Sequence, residues 1–198
     1  MNPILTKILT ERYSLFFGEN KYAACGDGWF DILDILCSEI DNNYRNDVRN
    51  YEWKLKEYNQ TDEEIAERIA KAPEHMHSQL QRPKEKPEKP VPLIITDIKE
   101  KYGTLRFYTM GGCDADDGAI SMAESMSGRI CDICGSPGKT NSGGWITCRC
   151  ARCQGIIDER HEPSNMALFF KKIEEEVIER VLKLDEEYKA WNKELDVS

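Results

Sequence analysis

Four of the eight cysteines form two C-x-x-C pairs, Cys131 with Cys134 and Cys150 with Cys153, and fifteen residues separate the pairs. This spacing falls at the short end of the range typical of zinc ribbons and knuckles. Four thiolates complete a tetrahedral zinc site and leave no position open for substrate, so we expect a structural ion. The turn between the pairs is rich in glycine and serine and cannot build an apolar core, so metal binding would supply folding free energy.

A fifth cysteine, Cys148, stands two residues before Cys150 and could replace it as a ligand through a C-x-C pair. Because Cys150 and Cys153 repeat the spacing of the first pair, we predict those two as ligands and Cys148 as an unligated neighbour. A disulfide is the alternative. We expect reduced thiols and an intracellular protein, since the sequence has no apolar leader segment.

Other residue patterns could belong to catalytic or metal-binding sites, but a structural role is the simpler interpretation of each. Asp97 and Lys99 match the acid-x-Lys element of metal-dependent nucleases, yet no strand before them offers a second carboxylate, so we expect a solvated strand face. The acidic group Asp114, Asp116 and Asp117 could hold a hard cation, but capping of the following helix is the preferred interpretation. The histidines are His75, His77 and His161, too few and too scattered for a catalytic arrangement. We therefore predict a protein that is not an enzyme.

Charge argues against a broad nucleic-acid surface, because the chain carries a net charge of -9. The segment 129–160 is the exception, with five basic and three acidic residues. Within it, Trp145, Arg149 and Arg152 are the candidate nucleic-acid contacts. Trp145 could stack on a base, although packing against the metal turn is the preferred prediction.

The remaining elements predict an α+β fold. Helical periodicity covers residues 1–73, with a long second helix capped by Asp27 and a shorter one that starts at Thr61. Residues 74–91 are rich in Pro, Lys and Glu and predict a linker or exposed loop. Residues 92–160 predict an antiparallel hairpin, a helix and the zinc ribbon, with Ile94, Thr96 and Ile98 on one face of the first strand and Leu105 and Phe107 on one face of the second. Residues 164–198 predict one long amphipathic helix.

The C-terminal helix has two possible roles. Its apolar stripe either folds back over the hairpin as core or pairs with another chain, which includes a second copy of this one. The candidate partner-facing residues are Phe170, Val177, Leu184, Tyr188 and Trp191. The chain contains no apolar run of the roughly eighteen residues needed for a membrane span, so we expect no membrane association.

Four motifs together resemble an uncharacterised protein family carried by bacteriophages and prophages. They are Cys25–Leu33 (CGDGWFDIL), Ile98–Tyr108 (IKEKYGTLRFY), Ile130–Gly138 (ICDICGSPG) and Gly143–Thr147 (GGWIT). Their order and spacing are similar to the family pattern across about residues 10–155. The resemblance implies that the second metal pair is Cys150 and Cys153, from which Cys148 departs, and it implies a phage setting. It implies no activity.

From these features we expect a zinc-stabilised, non-enzymatic phage accessory protein of the host cytoplasm. It would bind a host or phage protein and inhibit a bacterial defence or expression system. The alternative is a nucleic-acid-binding protein that acts through the basic ribbon, and a third hypothesis is a nuclease that uses Asp97 and Lys99.

Overall fold

The computed structural model describes residues 1–19, 22–81, 85–158 and 163–195, and in the last range it describes the side chains of residues 166–190 and 193. The fold is α+β, as predicted. The helices are α1 Pro3–Arg12, α2 Ser14–Phe17, α3 Phe30–Tyr58, α4 Asp62–Lys71, α5 Asp114–Ser127, α6 Ala151–Asp158 and α7 Pro163–Leu195. The strands are β1 Ile94–Lys101, β2 Thr104–Met110, β3 Lys139–Thr140 and β4 Cys148–Arg149.

The chain divides into two compact units. One combines residues 1–40 with residues 92–198, and the other consists of residues 41–91. α3 contributes its residues up to Ile40 to the first unit and its residues from Asp41 to the second. The buried core belongs to the first unit, and none of the described residues in 41–91 is buried.

The first unit begins with α1, which starts as the sequence predicts. The Asn2 side chain caps it by accepting a hydrogen bond from the Ile4 backbone N–H (2.8 Å), and Leu5 and Leu9 are buried. Asp27 does not cap the next helix. It lies inside a 3-10 turn at Asp27–Trp29, and its carboxylate accepts a hydrogen bond from the backbone N–H of Asn2 (2.6 Å).

β1 and β2 form the predicted antiparallel hairpin, with Ile98 opposite Phe107. A bulge lies between Ile95 and Asp97, and it changes which side chains of β1 face the core. Ile95 and Ile98 are buried while Thr96 is exposed, so the predicted common face of Ile94, Thr96 and Ile98 is wrong. On β2 the prediction is confirmed, because Leu105 and Phe107 are both buried.

Both edges of this hairpin have hydrogen-bonding partners. Ala24 lies beside β1 and exchanges backbone hydrogen bonds with Ile98 (2.8 Å) and Glu100 (3.0 Å). Along β2, the backbone N–H groups of Leu105 and Phe107 donate to Ser127 Oγ (2.8 Å) and to a carboxylate oxygen of Glu124 (2.9 Å). Ser127 and Glu124 belong to α5, so that helix closes the open edge of the sheet with side chains.

α7 covers the other side of the first unit. Its buried apolar residues are Ile173, Val177 and Val181, and Asp185 is buried as well. The helix packs mainly against α1 and the turn at Asp27–Trp29, whereas the hairpin is the intrachain surface named in the sequence analysis. The described residues include no helix with the length and apolar composition that a membrane span requires.

The second unit contains the end of α3, then α4 and a 3-10 turn at Glu74–Met76. α4 begins with the predicted capping box, in which Thr61 Oγ accepts from the Glu64 N–H (3.2 Å) and the Glu64 carboxylate accepts from the Thr61 N–H (2.8 Å).

Candidate metal centre

The four predicted cysteines converge in the folded chain. The sulfur atoms of Cys131, Cys134, Cys150 and Cys153 all lie within 4.8 Å of one another, and Cys134 Sγ is 3.7 Å from Cys150 Sγ. A tetrahedral ion with Zn–S bonds of about 2.3 Å places its sulfur atoms about 3.8 Å apart. These residues could therefore hold a metal ion. No other group of candidate ligands comes together in the described part of the chain.

Backbone hydrogen bonds fold the first pair into a tight turn. The Gly135 N–H donates to the Cys131 carbonyl (3.0 Å), and the Cys131 N–H donates to the Ser136 carbonyl (2.8 Å). Gly135 has a φ of 78°, in the left-handed region that favours glycine. The reversal brings both sulfur atoms of the pair to one point.

The second pair lies where β4 meets α6. The Cys153 N–H points at Cys150 Sγ (3.4 Å), a contact that also stabilises a thiolate. The two pairs are joined through the backbone, because the Asp132 N–H donates to the Cys148 carbonyl (2.9 Å). The ligand set is thus positioned by backbone contacts within and between the two pairs.

The thiols differ in how readily they ionise. Burial raises the pKa of Cys131 to about 11, and burial together with the neighbouring cysteines raises the pKa of Cys153 further. Burial also acts to raise the pKa of Cys134, but hydrogen bonds with Ser136 and with the Cys131 and Cys153 side chains together outweigh it and lower that pKa to about 7. Four thiolates crowded within 4.8 Å of one another would repel each other without a bound cation, so this arrangement suits a metal centre.

Cys148 lies outside the group of four sulfur atoms, as predicted. It is fully buried in β4 opposite Thr140, and burial raises the pKa of its thiol despite a hydrogen bond with the Thr140 side chain. All eight cysteines are free thiols in this structure.

Sequence reasoning missed the element that supports the metal turn, which is the Gly-Asp-Gly-Trp stretch. The Gly28 N–H donates to the Asp132 carbonyl (3.0 Å), and Trp29 Nε1 donates to the Ile130 carbonyl (2.9 Å). A Cβ atom on Gly28 would lie 2.2 Å from the Cys131 carbonyl oxygen, and one on Gly26 would lie 1.9 Å from the Asp132 carbonyl oxygen. The sequence feature that could have predicted this contact is a pair of glycines separated by one residue and followed by a tryptophan, because glycines permit another backbone to approach closely.

The predicted nucleic-acid contacts do not form an open basic surface. Arg149 lies 3.6 Å from the carboxylate of Asp132, and Arg152 lies 3.6 Å from the carboxylate of Glu176.

Trp145 is 80% exposed, so the prediction that it packs against the metal turn is wrong. Asn141 fixes the backbone of its loop by donating to the Trp145 carbonyl (3.1 Å) and accepting from the Thr147 N–H (3.0 Å).

The remaining candidate residues make ordinary structural contacts. Lys99 is ion-paired with Asp97 and lies over the ring of Tyr108 (4.7 Å). Asp116 accepts a hydrogen bond from the Cys113 N–H (3.0 Å) at the start of α5, where Asp114 and Asp117 are exposed.

The histidines do not form a cluster among the described residues. His77 Nε2 contacts the Ala72 carbonyl (2.9 Å), and His75 is exposed. His161 lies outside the described residues.

The residues predicted to form the partner face of α7 do not form one exposed surface. Val177 is buried, whereas Leu184 and Tyr188 are exposed. Tyr188 lies under the Arg12 guanidinium, 4.4 Å from the ring centroid. Phe170 is half-buried and lines a cavity of about 440 Å³ beside Asp27 and Asp132. The side chain of Trp191 lies outside the described residues.

Comparisons of the chain with protein-family models, with curated protein sequences and with solved structures returned no match.

Proposed function

We propose that the four-cysteine cluster binds zinc as a structural ion. Tetrahedral geometry with four thiolates and no open position suits zinc, which has no geometric preference of its own and binds thiolates well. The proposal is supported most by the 3.7 Å separation of Cys134 Sγ and Cys150 Sγ, close to the edge of a zinc tetrathiolate. The ion would hold the metal turn against Gly28 and Trp29, so that the first unit forms one core.

The proposed function of the whole chain is that of a non-enzymatic accessory protein of a bacteriophage. It acts in the host cytoplasm by binding a host or phage protein and inhibiting a bacterial defence or expression system. The phage setting rests on the four-motif resemblance. A binding role is supported by the closed thiolate site and by aromatic side chains left exposed on a structured surface.

Two exposed aromatic residues lie on neighbouring loops of the first unit. Tyr102 is 67% exposed at the tip of the β1–β2 hairpin, and its φ of 55° is unusual for a bulky residue. The next residue, Gly103, approaches Ile146, because a Cβ added to Gly103 would lie 3.1 Å from Ile146 Cγ2. Trp145 directly precedes Ile146. Exposed tyrosine and tryptophan on structured loops are typical of the energetic centres of protein interfaces.

The experiment is a capture from bacterial lysate, followed by reconstitution with the purified partner. We expect a stoichiometric partner whose affinity falls at least about tenfold in Tyr102→Ala and in Trp145→Ala. The control is Trp53→Ala, because Trp53 is also exposed (61%) but belongs to the other unit, and this variant should bind like the wild type. Absence of a stoichiometric partner contradicts the binding role, and an equal loss in Trp53→Ala contradicts the assigned surface.

The second candidate function is nucleic-acid binding through the ribbon, and the exposure of Trp145 favours it. The ion pairs of Arg149 and Arg152 count against it, because those charges are already balanced. Titration with single- and double-stranded DNA and RNA separates the two functions. Binding at about 50 mM salt that weakens steeply as salt rises would support this candidate, and no binding at that salt would remove it.

A further inference from the structure

Residues 41–91, called the arm from here on, show no core of their own among the residues that the structure describes. None of the described arm residues is buried, although α3 and α4 carry apolar side chains along it. A unit of this size without metal or disulfide is marginal even when it has a core. The arm therefore presents apolar surface that a second molecule could cover.

The apolar side chains at the end of α3 repeat with heptad spacing. Tyr44, Val48, Tyr51, Leu55 and Tyr58 follow one another in steps of four, three, four and three, and each is half-buried. The three tyrosines take d positions of a heptad, while Val48 and Leu55 take a positions. We call these five residues the seam. A seam of this spacing is the surface by which one helix packs along another.

A groove runs beside the seam. It has a volume of about 650 Å³, with Asp47, Tyr51 and Lys54 on the helix side and the segment 85–90 opposite. Trp53, which is 61% exposed, also lines it. The opposite wall has both signs of charge, from Glu85, Lys86 and Glu88. Space of this size next to a half-buried seam accommodates several side chains of an approaching helix.

Charge identifies the occupant. The arm carries ten basic and eleven acidic residues, a net charge of -1 within a chain of net charge -9. Two copies of the chain repel each other strongly through the rest of their surfaces and only weakly through their arms. The arm is therefore the part of the surface where a second copy approaches with the least repulsion.

The charges that flank the seam match in one orientation only. Arg45 and Glu52 take e positions, Asp47 and Lys54 take g positions, and all four are exposed. Arg45 is also paired with Asp41 of its own helix (2.7 Å), so the contact between Asp47 and Lys54 carries most of the matching. Antiparallel pairing centred between Val48 and Tyr51 sets each Asp47 near Lys54 of the other copy, and each Arg45 near Glu52. Parallel pairing would instead set Asp47 against Glu52, a like-charge contact.

We propose that a second copy of this chain binds at the arm, with the two α3 seams antiparallel. The inference does not rest on the proposed function, because it uses neither the metal centre nor the surface around Tyr102 and Trp145. It also differs from self-association through α7, whose Ile173, Val177 and Val181 are already covered by the first unit.

Sedimentation equilibrium of the full chain tests the proposal over roughly 10 µM to 1 mM. We expect a reversible monomer–dimer equilibrium. Lys54→Asp should weaken the dimer about tenfold, because by symmetry it converts two attractive pairs into two repulsive ones. The double variant Asp47→Lys with Lys54→Asp restores opposite signs at both contacts and should return the dissociation constant to within about threefold of wild type.

Lys56→Asp is the matched control, because it makes the same charge change on α3 at an exposed position away from the seam. It should leave the dissociation constant unchanged, and circular dichroism should show equal helix content in all variants. A wild-type chain that stays monomeric throughout overturns the proposal. So does a double variant as weak as Lys54→Asp, or a Lys56→Asp chain that weakens as much.

Discussion

Gly28 is one of two glycines, with Gly26, at which the N-terminal core and the metal turn approach closely. Its backbone N–H donates to Asp132, and the position of its missing side chain is taken up by main-chain atoms of Cys131, Cys134 and Gly135. A Cβ there would lie 2.2 to 2.8 Å from those atoms, which are backbone and cannot rotate away. The metal turn and the turn at Asp27–Trp29 must therefore separate to admit any side chain.

We expect Gly28→Ala to destabilise the zinc-loaded protein by about 3 kcal/mol, at the upper end for overpacking of a well-packed site. Urea unfolding with zinc present measures it. Gly118→Ala is the control, because nothing lies within 4 Å of the added methyl and Gly118 is inside α5. It should stabilise by about 0.5–1 kcal/mol. Equal stability of Gly28→Ala and wild type would show that the two turns do not pack as described.

For single residues, the sequence was enough to predict those contacts that depend only on the spacing along the chain. Two C-x-x-C pairs predict their four sulfur atoms together because two intervening residues permit only a short reversal. The exposure of Trp145 and the contact between Asp27 and Asn2 depend instead on tertiary neighbours. Local pattern carries no information about those neighbours.

Among the elements, α7 depends on buried charge as well as on its apolar stripe. Arg12 of α1 lies 2.6 Å from the carboxylate of Asp34 and also pairs with Asp185 of α7, and the side chains of Arg12 and Asp185 are each only 9% exposed. Lys189 donates to Asp185 from the next turn (2.6 Å). Burial acts to raise the pKa of Asp185, but the hydrogen bonds from Lys189 and Arg12 outweigh it and hold that pKa below its usual value.

We expect Asp185→Asn to destabilise the chain by about 2 kcal/mol near pH 7, because it leaves buried charge on Arg12 less well compensated. A carboxyl group with a lowered folded-state pKa contributes stability that is fully present above its unfolded pKa of about 3.9. That contribution is lost as the pH falls through the folded value. The gap between wild type and variant in urea unfolding should therefore close below about pH 4.

Glu175→Gln is the control for this charge change, since Glu175 forms an exposed pair with Lys171 (3.9 Å). It should change stability by less than about 0.5 kcal/mol at any pH. A gap for Asp185→Asn that stays constant from pH 7 to about pH 3 would contradict the role given to the Asp185 charge.

Element types were predictable from periodicity and caps, as α1, α4 and the hairpin illustrate. The packing partner of α7 was not, because its stripe of Ile173, Val177 and Val181 fits any apolar surface of the right width. The bulge in β1 could not be predicted either, because an extra residue in a strand leaves no characteristic residue type in the sequence.

For the whole molecule, burial divides the chain into a cored unit and an arm. We expect backbone amides in residues 41–91 to exchange with deuterium much faster than those of β1 and β2, because local opening of the arm exposes little buried apolar surface. Exchange measured by mass spectrometry at low and high protein concentration checks this. Protection at the seam should rise with concentration. Arm amides as protected as the hairpin in dilute solution would contradict the division.

The division could not be predicted from the sequence, which places a boundary at the Pro-rich stretch of 74–91. Helical periodicity continues without a break along α3, so the point near Ile40 at which burial stops leaves no mark in residue type. Burial along α3 depends on whether other elements of the first unit pack against it, and it stops at Ile40.

The zinc content of purified chain is the most direct measurement of the central claim, that four sulfur atoms around one ion stabilise the first unit. We expect about one zinc per chain in the wild type and in Cys148→Ser, little zinc in Cys134→Ser, and loss of near-ultraviolet circular dichroism when a chelator removes the ion. A wild-type chain that is fully folded without metal, or a Cys148→Ser chain that loses its zinc, would contradict it.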